Sequence, residues 1–398
     1  MSTKQQLIDV LNQVGKPPRF YHSPDGTTVL ILPYGGRVLG LFGPGSDENF
    51  YWTHAALESA ESAARYYQGQ QWQNSGGDRT WLAPEVDFFF PNFPQTDVYF
   101  QPRGLDPGNY QVVQDAAGEP LLSPRLPMEW EGEAPAEPPS GHGSAGASPS
   151  RCEFPLTAQD SLVNRATLVL SRSKAEVELE ITKSIAPASN PLRYERGLTS
   201  LPIEYAGYTQ HTSLRWLAGD GPAGTPIGLW NLLQMPHGGE LLVPTYGKTE
   251  PRVIFGTIHP EDLSIGEHLF RYRMRAAGEQ KLGIRAVAVA GRIGYLIRAH
   301  DGRWSLLIRS ICVNPSGEYV DVPWRETEDR GYAVQACNIH NSELGSFSEL
   351  EYHVPAIGFG TGRRFCEDIS QVWAFRGGRE AIECVVRSLL TSELTSER

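Results

Sequence analysis

The sequence of 398 residues contains no apolar run of about 18 residues, the length that a membrane-spanning helix requires. It also lacks an excess of basic residues, since its formal net charge is −11. Phosphate binding requires clustered positive charge. We therefore expect neither a membrane nor a nucleic acid as a partner. The first residues, MSTKQQLIDVLNQVGK, have no basic start followed by an apolar core and do not resemble a signal peptide.

Cysteine is scarce and scattered, with five residues in the whole chain: Cys152, Cys312, Cys337, Cys366 and Cys384. No CxxC pair occurs, so neither a zinc knuckle nor a disulfide framework is indicated. Free thiols in a reducing compartment are the simplest interpretation. We therefore expect a cytoplasmic location and no metal site. The sequence leaves open whether the protein is a monomer or a homodimer.

Long helical patterns are also rare, and most of the chain has the alternation that is typical of strands. In AEVELEITKSI, for example, Val177, Leu179 and Ile181 alternate with polar residues, which places the apolar groups on one face of a sheet. The pattern predicts strands at 27–33, 36–42, 165–171, 175–185, 204–217, 227–235, 239–244, 252–258, 268–276, 282–290, 292–300, 303–313, 331–340 and 347–359. So many strands with almost no helix between them predict an all-β fold of antiparallel sheets.

Two short helices and one insertion complete the predicted organisation. Apolar residues at helical spacing predict a helix near the start (Leu7, Val10, Leu11) and another at the end (Ala381, Val385). Residues 129–151 are rich in Pro, Gly, Ala and Ser and contain no aliphatic side chain larger than alanine, so they bury too little apolar surface to offset the entropy cost of ordering. A domain linker is one interpretation, and we favour a disordered insertion within a single domain of residues 1–398.

The stretch GGDRTWLAPE, Gly76 to Glu85, combines a predicted sharp turn with side chains that suit a sugar. Asp78 is an acceptor for hydroxyl groups, Arg79 is a donor to them, and Trp81 offers a flat apolar face. The alternative is a surface turn with a local ion pair.

Together with YGGRVLGLFGPG (34–45) and SELEYHVPAIG (348–358), this stretch resembles the galactose mutarotase-like proteins, in particular a bacterial branch with a GGD(K/R)xWxxPE loop. The motifs are short, but they occur in order along most of the chain. The resemblance implies a supersandwich, in which large antiparallel sheets pack face to face, with a sugar-binding cleft on one sheet. It also implies aldose 1-epimerase chemistry, the exchange of the anomers of a free sugar.

The resemblance implies a glutamate base and a histidine acid. Anomer exchange requires a base that removes the proton of the anomeric hydroxyl and an acid that protonates the ring oxygen. Glu351 occupies a leucine–glutamate strand shortly before a proline, as the family's base does, and is the candidate base. The alternative for Glu351 is a solvated glutamate on a strand face. Glu349 points to the same face of the strand, and its charge can raise the pKa of Glu351.

The histidine is where the sequence departs from the family pattern. The expected Asn-His strand falls near IGLWNLLQMPHGG, where the nearest imidazole is His237, just beyond the strand. His237 is therefore the candidate acid, although a surface histidine is the simpler interpretation. His211, His340 and His353 are further possibilities.

Several other residues are candidates for sugar binding. Trp230 is a second stacking platform and Gln234 a hydrogen-bond partner. Lys281 is a candidate donor to the cleft, and the alternative for it is a solvated lysine at the start of a strand. Together with the loop and the Glu351 strand, the predicted substrate-binding set is Asp78, Arg79, Trp81, Glu85, Trp230, Gln234, Lys281 and His353.

Three functions remain open at this level. The first is a cofactor-free, mutarotase-like epimerase that acts on a sugar ligand. The second is a non-catalytic sugar-binding protein that has lost the acid. The third is a carbohydrate hydrolase or lyase, since hydrolysis requires paired carboxylates such as Asp78 or Glu85 with Glu351. Fold alone does not decide among these functions.

Overall fold

The computed structural model describes residues 3–113, 161–219, 225–299, 301–358 and 360–391, and its strands form two large antiparallel β-sheets. The strands are β1 (Arg19–His22), β2 (Thr28–Leu32), β3 (Arg37–Phe42), β4 (Asp78–Ala83), β5 (Gln111–Val113), β6 (Ser161–Val169), β7 (Glu176–Pro187), β8 (Ile203–Ala218), β9 (Gly228–Pro236), β10 (Glu240–Pro244), β11 (Arg252–Phe255), β12 (Leu263–Ile265), β13 (Leu269–Arg273), β14 (Gly278–Arg285), β15 (Arg292–Arg298), β16 (Trp304–Ser310), β17 (Tyr332–Asn341), β18 (Gly345–His353) and β19 (Phe365–Gly377). The helices are α1 (Lys4–Gln13), α2 (Ala60–Gln68), α3 (Glu85–Phe88) and α4 (Arg379–Leu389).

Within the described residues, one sheet has nine strands in the order β1-β2-β3-β4-β9-β18-β17-β14-β11. The other has ten strands in the order β12-β13-β10-β15-β16-β19-β8-β7-β6-β5. The predicted all-β architecture with a helix near each end of the chain is confirmed. The predicted insertion at 129–151 lies outside the described residues, and the single domain stays a prediction.

The two sheets pack face to face through a continuous apolar core. Leu233 and Leu350 of the nine-stranded sheet and Tyr208, Leu307 and Ala374 of the ten-stranded sheet belong to one cluster of fully buried side chains. Because strand side chains alternate between faces, the neighbours of these residues point outward, away from the other sheet.

The outer faces of both sheets are partly covered by helices. Helix α4 packs Ile382 and Val385 against Leu306 and Phe375 on the ten-stranded sheet. Helix α1 packs on the outer side of β2 and β3, and its buried residues Leu7, Val10 and Leu11 follow the predicted stripe. The middle of the outer face of the nine-stranded sheet, formed by β4, β9, β18, β17 and β14, is left for the cavity described below. Among the described residues, no helix is both long and apolar enough to cross a membrane.

Candidate functional site

The Gly-Gly turn brings β4 into the middle of the nine-stranded sheet. Gly76 and Gly77 have positive φ angles of 101° and 74°, which side-chained residues rarely adopt. A Cβ atom at either position would collide with a backbone carbonyl oxygen, that of Trp52 or that of Val38. The predicted sharp turn is therefore confirmed, and glycine is required at both positions by conformation and by space.

Residues 78–83 form a strand rather than a loop, and this determines which of their side chains meet. Arg79 and Trp81 point to the outer face, whereas Asp78 points between the sheets, where its carboxylate lies 2.6 Å from the Arg309 guanidinium of β16. Tyr208 of β8 also donates a hydrogen bond to Asp78, at 3.0 Å. The expectation that Asp78 shares a sugar-binding cleft with Arg79 is therefore wrong, because adjacent residues of a strand lie on opposite faces.

A cavity of about 980 Å³ lies over the outer face of the nine-stranded sheet. Its floor is formed by side chains of five neighbouring strands, and its walls come from the segments that follow α2 and α3. The floor residues used below are Arg79, Trp81, Trp230, Lys281, Cys337, Glu349 and Glu351, and Glu85 lies at their edge. The sequence prediction of a cleft formed by Arg79, Trp81, Glu85, Trp230, Lys281 and Glu351 is consistent with this placement.

Arg79 and Glu349 form a buried ion pair on the floor. The guanidinium Nη2 donates to Glu349 Oε1 at 2.8 Å, and Gln234 Nε2 donates to the same oxygen at 2.9 Å. The Arg79 guanidinium carbon lies 4.1 Å from the ring centre of Trp81 and 5.2 Å from that of Trp72. Its Nε and Nη1 have no hydrogen-bond partner within the described residues. Arg79 is thus held in place while two of its donor atoms remain free.

Glu351 and Lys281 form a second buried pair beside the first. Lys281 Nζ lies 3.1 Å from Glu351 Oε2, and Trp230 Nε1 donates to the same oxygen at 2.8 Å. Glu351 is fully buried, and its Oε1 has no partner among the described side chains. Burial raises the pKa of Glu351 to about 8, a shift that Lys281 opposes and Glu349 and Glu85 reinforce.

Lys281 lies between two carboxylates, because its Nζ is also 3.7 Å from Glu85 Oε2. Burial alone would lower the pKa of this ammonium, but Glu351 and Glu85 raise it above its ordinary value, so Lys281 carries its proton. Its Nζ also lies 4.3 Å from the ring centre of Trp230. Both oxygens of Glu85 already accept hydrogen bonds, from the Tyr99 hydroxyl and from Trp324 Nε1, each at 2.7 Å.

Asp106 holds the two tryptophans of the adjoining wall, and no pattern in the sequence indicates this role. Its Oδ2 accepts hydrogen bonds from Trp72 Nε1 and Trp81 Nε1, each at 3.0 Å, and from Arg37 Nη2 at 2.9 Å. Both indole nitrogens therefore point to one carboxylate oxygen, and the two rings lie with their centres 5.5 Å apart.

Among the described residues, no histidine lines the cavity. His237 stacks on His340 with ring centres 4.5 Å apart, so the expectation that it is the catalytic acid is not supported. His353 is buried beside Trp230, its partner on the neighbouring strand, with ring centres 5.6 Å apart. Burial, and secondarily Lys281, holds the pKa of His353 well below its usual range, so this ring is neutral. His211 belongs to β8 of the other sheet.

Gln234 and His353 do not line the cavity, although strand register places them on the same face of the sheet as its floor. Gln234 is fully buried and donates to Glu349, and His353 packs beside Trp230. Both were expected to bind substrate directly. The structure instead gives them positions that support the residues facing the cavity.

Cys337, Glu349 and Glu351 have ligand atoms within 4.8 Å of one another, which is compatible in distance with a metal ion. Both carboxylates, however, already pair with a cation, Arg79 for Glu349 and Lys281 for Glu351. Burial raises the pKa of the Cys337 thiol well above its usual range, so it stays protonated, whereas metal binding needs the thiolate. The donor set therefore does not fit a metal ion.

Comparison with known proteins gives matches in structure alone. No protein-family model matches the chain, and no curated protein matches its sequence. Among the similar solved structures are two proteins from lactobacilli. A galactose mutarotase-like protein from Lactobacillus casei is 9% identical, with 90% of this chain and 99% of that chain covered and a TM-score of 0.44. A galactose mutarotase related enzyme from Lactobacillus acidophilus is 8% identical, with 90% and 98% covered and a TM-score of 0.38.

Proposed function

We propose that the cavity binds a reducing sugar and that the protein exchanges its anomers, as an aldose 1-epimerase does. The observation that carries this proposal is the pair of Glu351 and Lys281 at the cavity floor, with carboxylate oxygen and ammonium nitrogen 3.1 Å apart. Anomer exchange needs one group that accepts a proton and one that donates a proton near the same sugar ring. This pair supplies both without a histidine.

In the proposed reaction Glu351 takes the proton of the C1 hydroxyl through Oε1, the oxygen that has no partner among the described residues. The C1–ring oxygen bond breaks, the C1 carbonyl forms, and the Lys281 ammonium protonates the released ring oxygen. Rotation about the C1–C2 bond exposes the other face of the carbonyl. On closure the ring oxygen attacks C1, Lys281 recovers its proton, and Glu351 returns its proton to the new anomeric hydroxyl.

The other residues of the floor suit binding rather than proton transfer. The free Nε and Nη1 of Arg79 can donate to neighbouring hydroxyl groups of a sugar. Trp81 and Trp230 offer apolar ring faces to its C–H groups. The Glu349 ion pair keeps the guanidinium in position when no sugar is bound.

A non-catalytic sugar-binding protein is the second candidate. Two observations favour it: Glu351 is fully buried, and no histidine lines the cavity within the described part of the chain. A hydrolase is less well supported, because Asp78 faces away and both oxygens of Glu85 are already hydrogen-bonded.

Polarimetry on freshly dissolved aldoses distinguishes the candidates. An epimerase accelerates the change in optical rotation above the spontaneous rate and releases no new reducing ends from glycosides. Calorimetric titration with the same sugars measures binding independently of turnover. Binding without acceleration for any aldose would establish the second candidate instead of the first.

The catalysed rate is expected to rise with pH and level off above about 8. Glu351 must be ionised to accept a proton, and burial raises its pKa to about 8, so the active fraction grows until that pH is passed. The measurement is kcat/KM for anomer exchange at a series of pH values, with the spontaneous rate subtracted at each one. A rate that falls across this range would contradict a basic role for Glu351.

Arg79→Lys is expected to weaken sugar binding about 10- to 150-fold, the equivalent of about 1.5–3 kcal/mol for hydrogen bonds to a charged group. Lysine keeps the positive charge opposite Glu349 but loses the fork whose Nε and Nη1 are free. The matched control is Arg65→Lys on α2, where the arginine is exposed and pairs with Glu61. Equal affinities of the two variants would mean that Arg79 is only a structural partner of Glu349.

A further inference from the structure

The cavity is larger than the chemistry on its floor requires. Its volume of about 980 Å³ is at the upper end of the range of about 300–1,000 Å³ for pockets that bury a drug-sized ligand. The groups proposed to act at an anomeric carbon occupy the floor only. A single sugar ring placed there leaves much of the cavity to be filled by something else.

One wall of this outer part is rich in side-chain amides. We call it the amide wall, and it consists of Gln68, Gln70, Gln71, Gln73, Gln101 and Asn109, all of which line the cavity. Amide groups both donate and accept hydrogen bonds, as sugar hydroxyls do. Arg103 also lines this side and donates to Gln70 Oε1 at 3.3 Å. Trp72 emerges from the same segment with its indole nitrogen held by Asp106.

The side of the cavity near Glu85 is aromatic. Trp324 contacts Phe90 and Phe255, with ring centres 4.6 Å and 5.0 Å apart, and its indole nitrogen is fixed by Glu85. Tyr99, which donates to the other oxygen of Glu85, lines the cavity as well. Fixed aromatic faces bind the apolar C–H faces of a sugar ring, while amides bind its edge. The outer part of the cavity therefore combines aromatic faces with hydrogen-bonding side chains, as the floor does.

We infer that the ligand of this cavity is a carbohydrate of at least two sugar residues. The reducing residue lies on the floor near Glu351, and the next residue lies between the amide wall and Trp324. The inference rests on the proposed function in one respect, that the ligand is a sugar, and it holds for an epimerase and for a binding protein alike.

The test is calorimetric titration of the whole protein with D-glucose, D-galactose, maltose, cellobiose, lactose and melibiose. At least one disaccharide is expected to bind 10-fold or more tightly than either of its component monosaccharides. The variants Gln71→Ala and Arg103→Ala are expected to weaken the binding of that disaccharide by about 3- to 10-fold, as loss of a hydrogen bond does. Their affinities for the monosaccharides are expected to be unchanged. The control is Gln5→Ala on α1, whose exposed amide donates to Asp9.

The outcomes separate the two proposals. If monosaccharides bind and no disaccharide binds more tightly, the inference is overturned while the proposed function stands. If Gln71→Ala and Arg103→Ala weaken both classes of sugar equally, the amide wall is not a second sugar site and the inference is overturned as well. If none of the six sugars binds, the proposed function fails and the inference fails with it.

Discussion

Replacing Glu351 with glutamine is expected to lower the rate of anomer exchange by about 10²- to 10⁴-fold, the usual cost of losing a general base. Glutamine has the shape of the protonated carboxyl group and can still accept the hydrogen bond that Trp230 Nε1 makes at 2.8 Å. It cannot take a proton from the C1 hydroxyl. Lys281 keeps Glu85 as a partner at 3.7 Å, so its charge is not left alone in the buried floor.

The readouts are polarimetry for turnover and calorimetry for binding, made on the same preparation. Sugar affinity is expected to persist in Glu351→Gln while turnover collapses, because the two depend on different groups. Glu367→Gln on β19 is the matched control, since its carboxylate is exposed on the other sheet. A Glu351→Gln variant as active as the control would show that the base lies elsewhere.

The alternation of apolar and polar residues predicts most of the strands. The main strand that it does not predict has a physical explanation. Strand β19 (Phe365–Gly377) was not predicted, although it is one of the longest. On its inner face Asp368 and Ser370 are buried and accept hydrogen bonds from Tyr352 or Arg309, while Ile369 on the outer face is about half exposed. The polar residues are inside and an apolar one is outside, so hydropathy alone inverts the pattern.

The alternation of side chains along a strand predicts part of the candidate site, because residues two apart lie on the same face. Glu349 and Glu351 were placed on one strand face by their spacing, and both line the cavity. The prediction misplaces Asp78 because it treats GGDRTWLAPE as a loop, in which neighbouring side chains can converge. Within a strand, Asp78 and Arg79 must point to opposite faces.

Other parts of the site depend on contacts that no local pattern records. Asp106 meets Arg37, Trp72 and Trp81 only after the chain has folded, over separations of 25 to 69 residues. Cys337 lies on the cavity face of β17, opposite Glu349, but its position follows from strand register. Nothing in the sequence alone sets that register.

The largest effect on stability is expected from substitutions in the buried ion pair of Asp78 and Arg309. Arg309 is fully buried between the sheets, where its Nη1 lies 2.6 Å from Asp78 Oδ2 and its Nη2 donates to Ser370 at 3.0 Å. Tyr208 donates to the same Asp78 oxygen, and Tyr51 donates to Tyr208 at 2.8 Å. These contacts connect both sheets through polar groups inside an apolar core.

Arg309→Met is expected to lower the free energy of unfolding by about 3–5 kcal/mol, because removing one partner leaves the other charge buried without it. Adding Asp78→Asn to this variant removes the unpaired carboxylate charge. The double variant is therefore expected to recover a large part of the lost free energy of unfolding. Lys183 is another buried cation in this region. Burial lowers its pKa to about 8, and Asp78 opposes this shift. Urea unfolding followed by circular dichroism measures all three proteins. A double variant less stable than Arg309→Met alone would show that the hydrogen bonds, rather than the paired charges, hold the sheets together at this point.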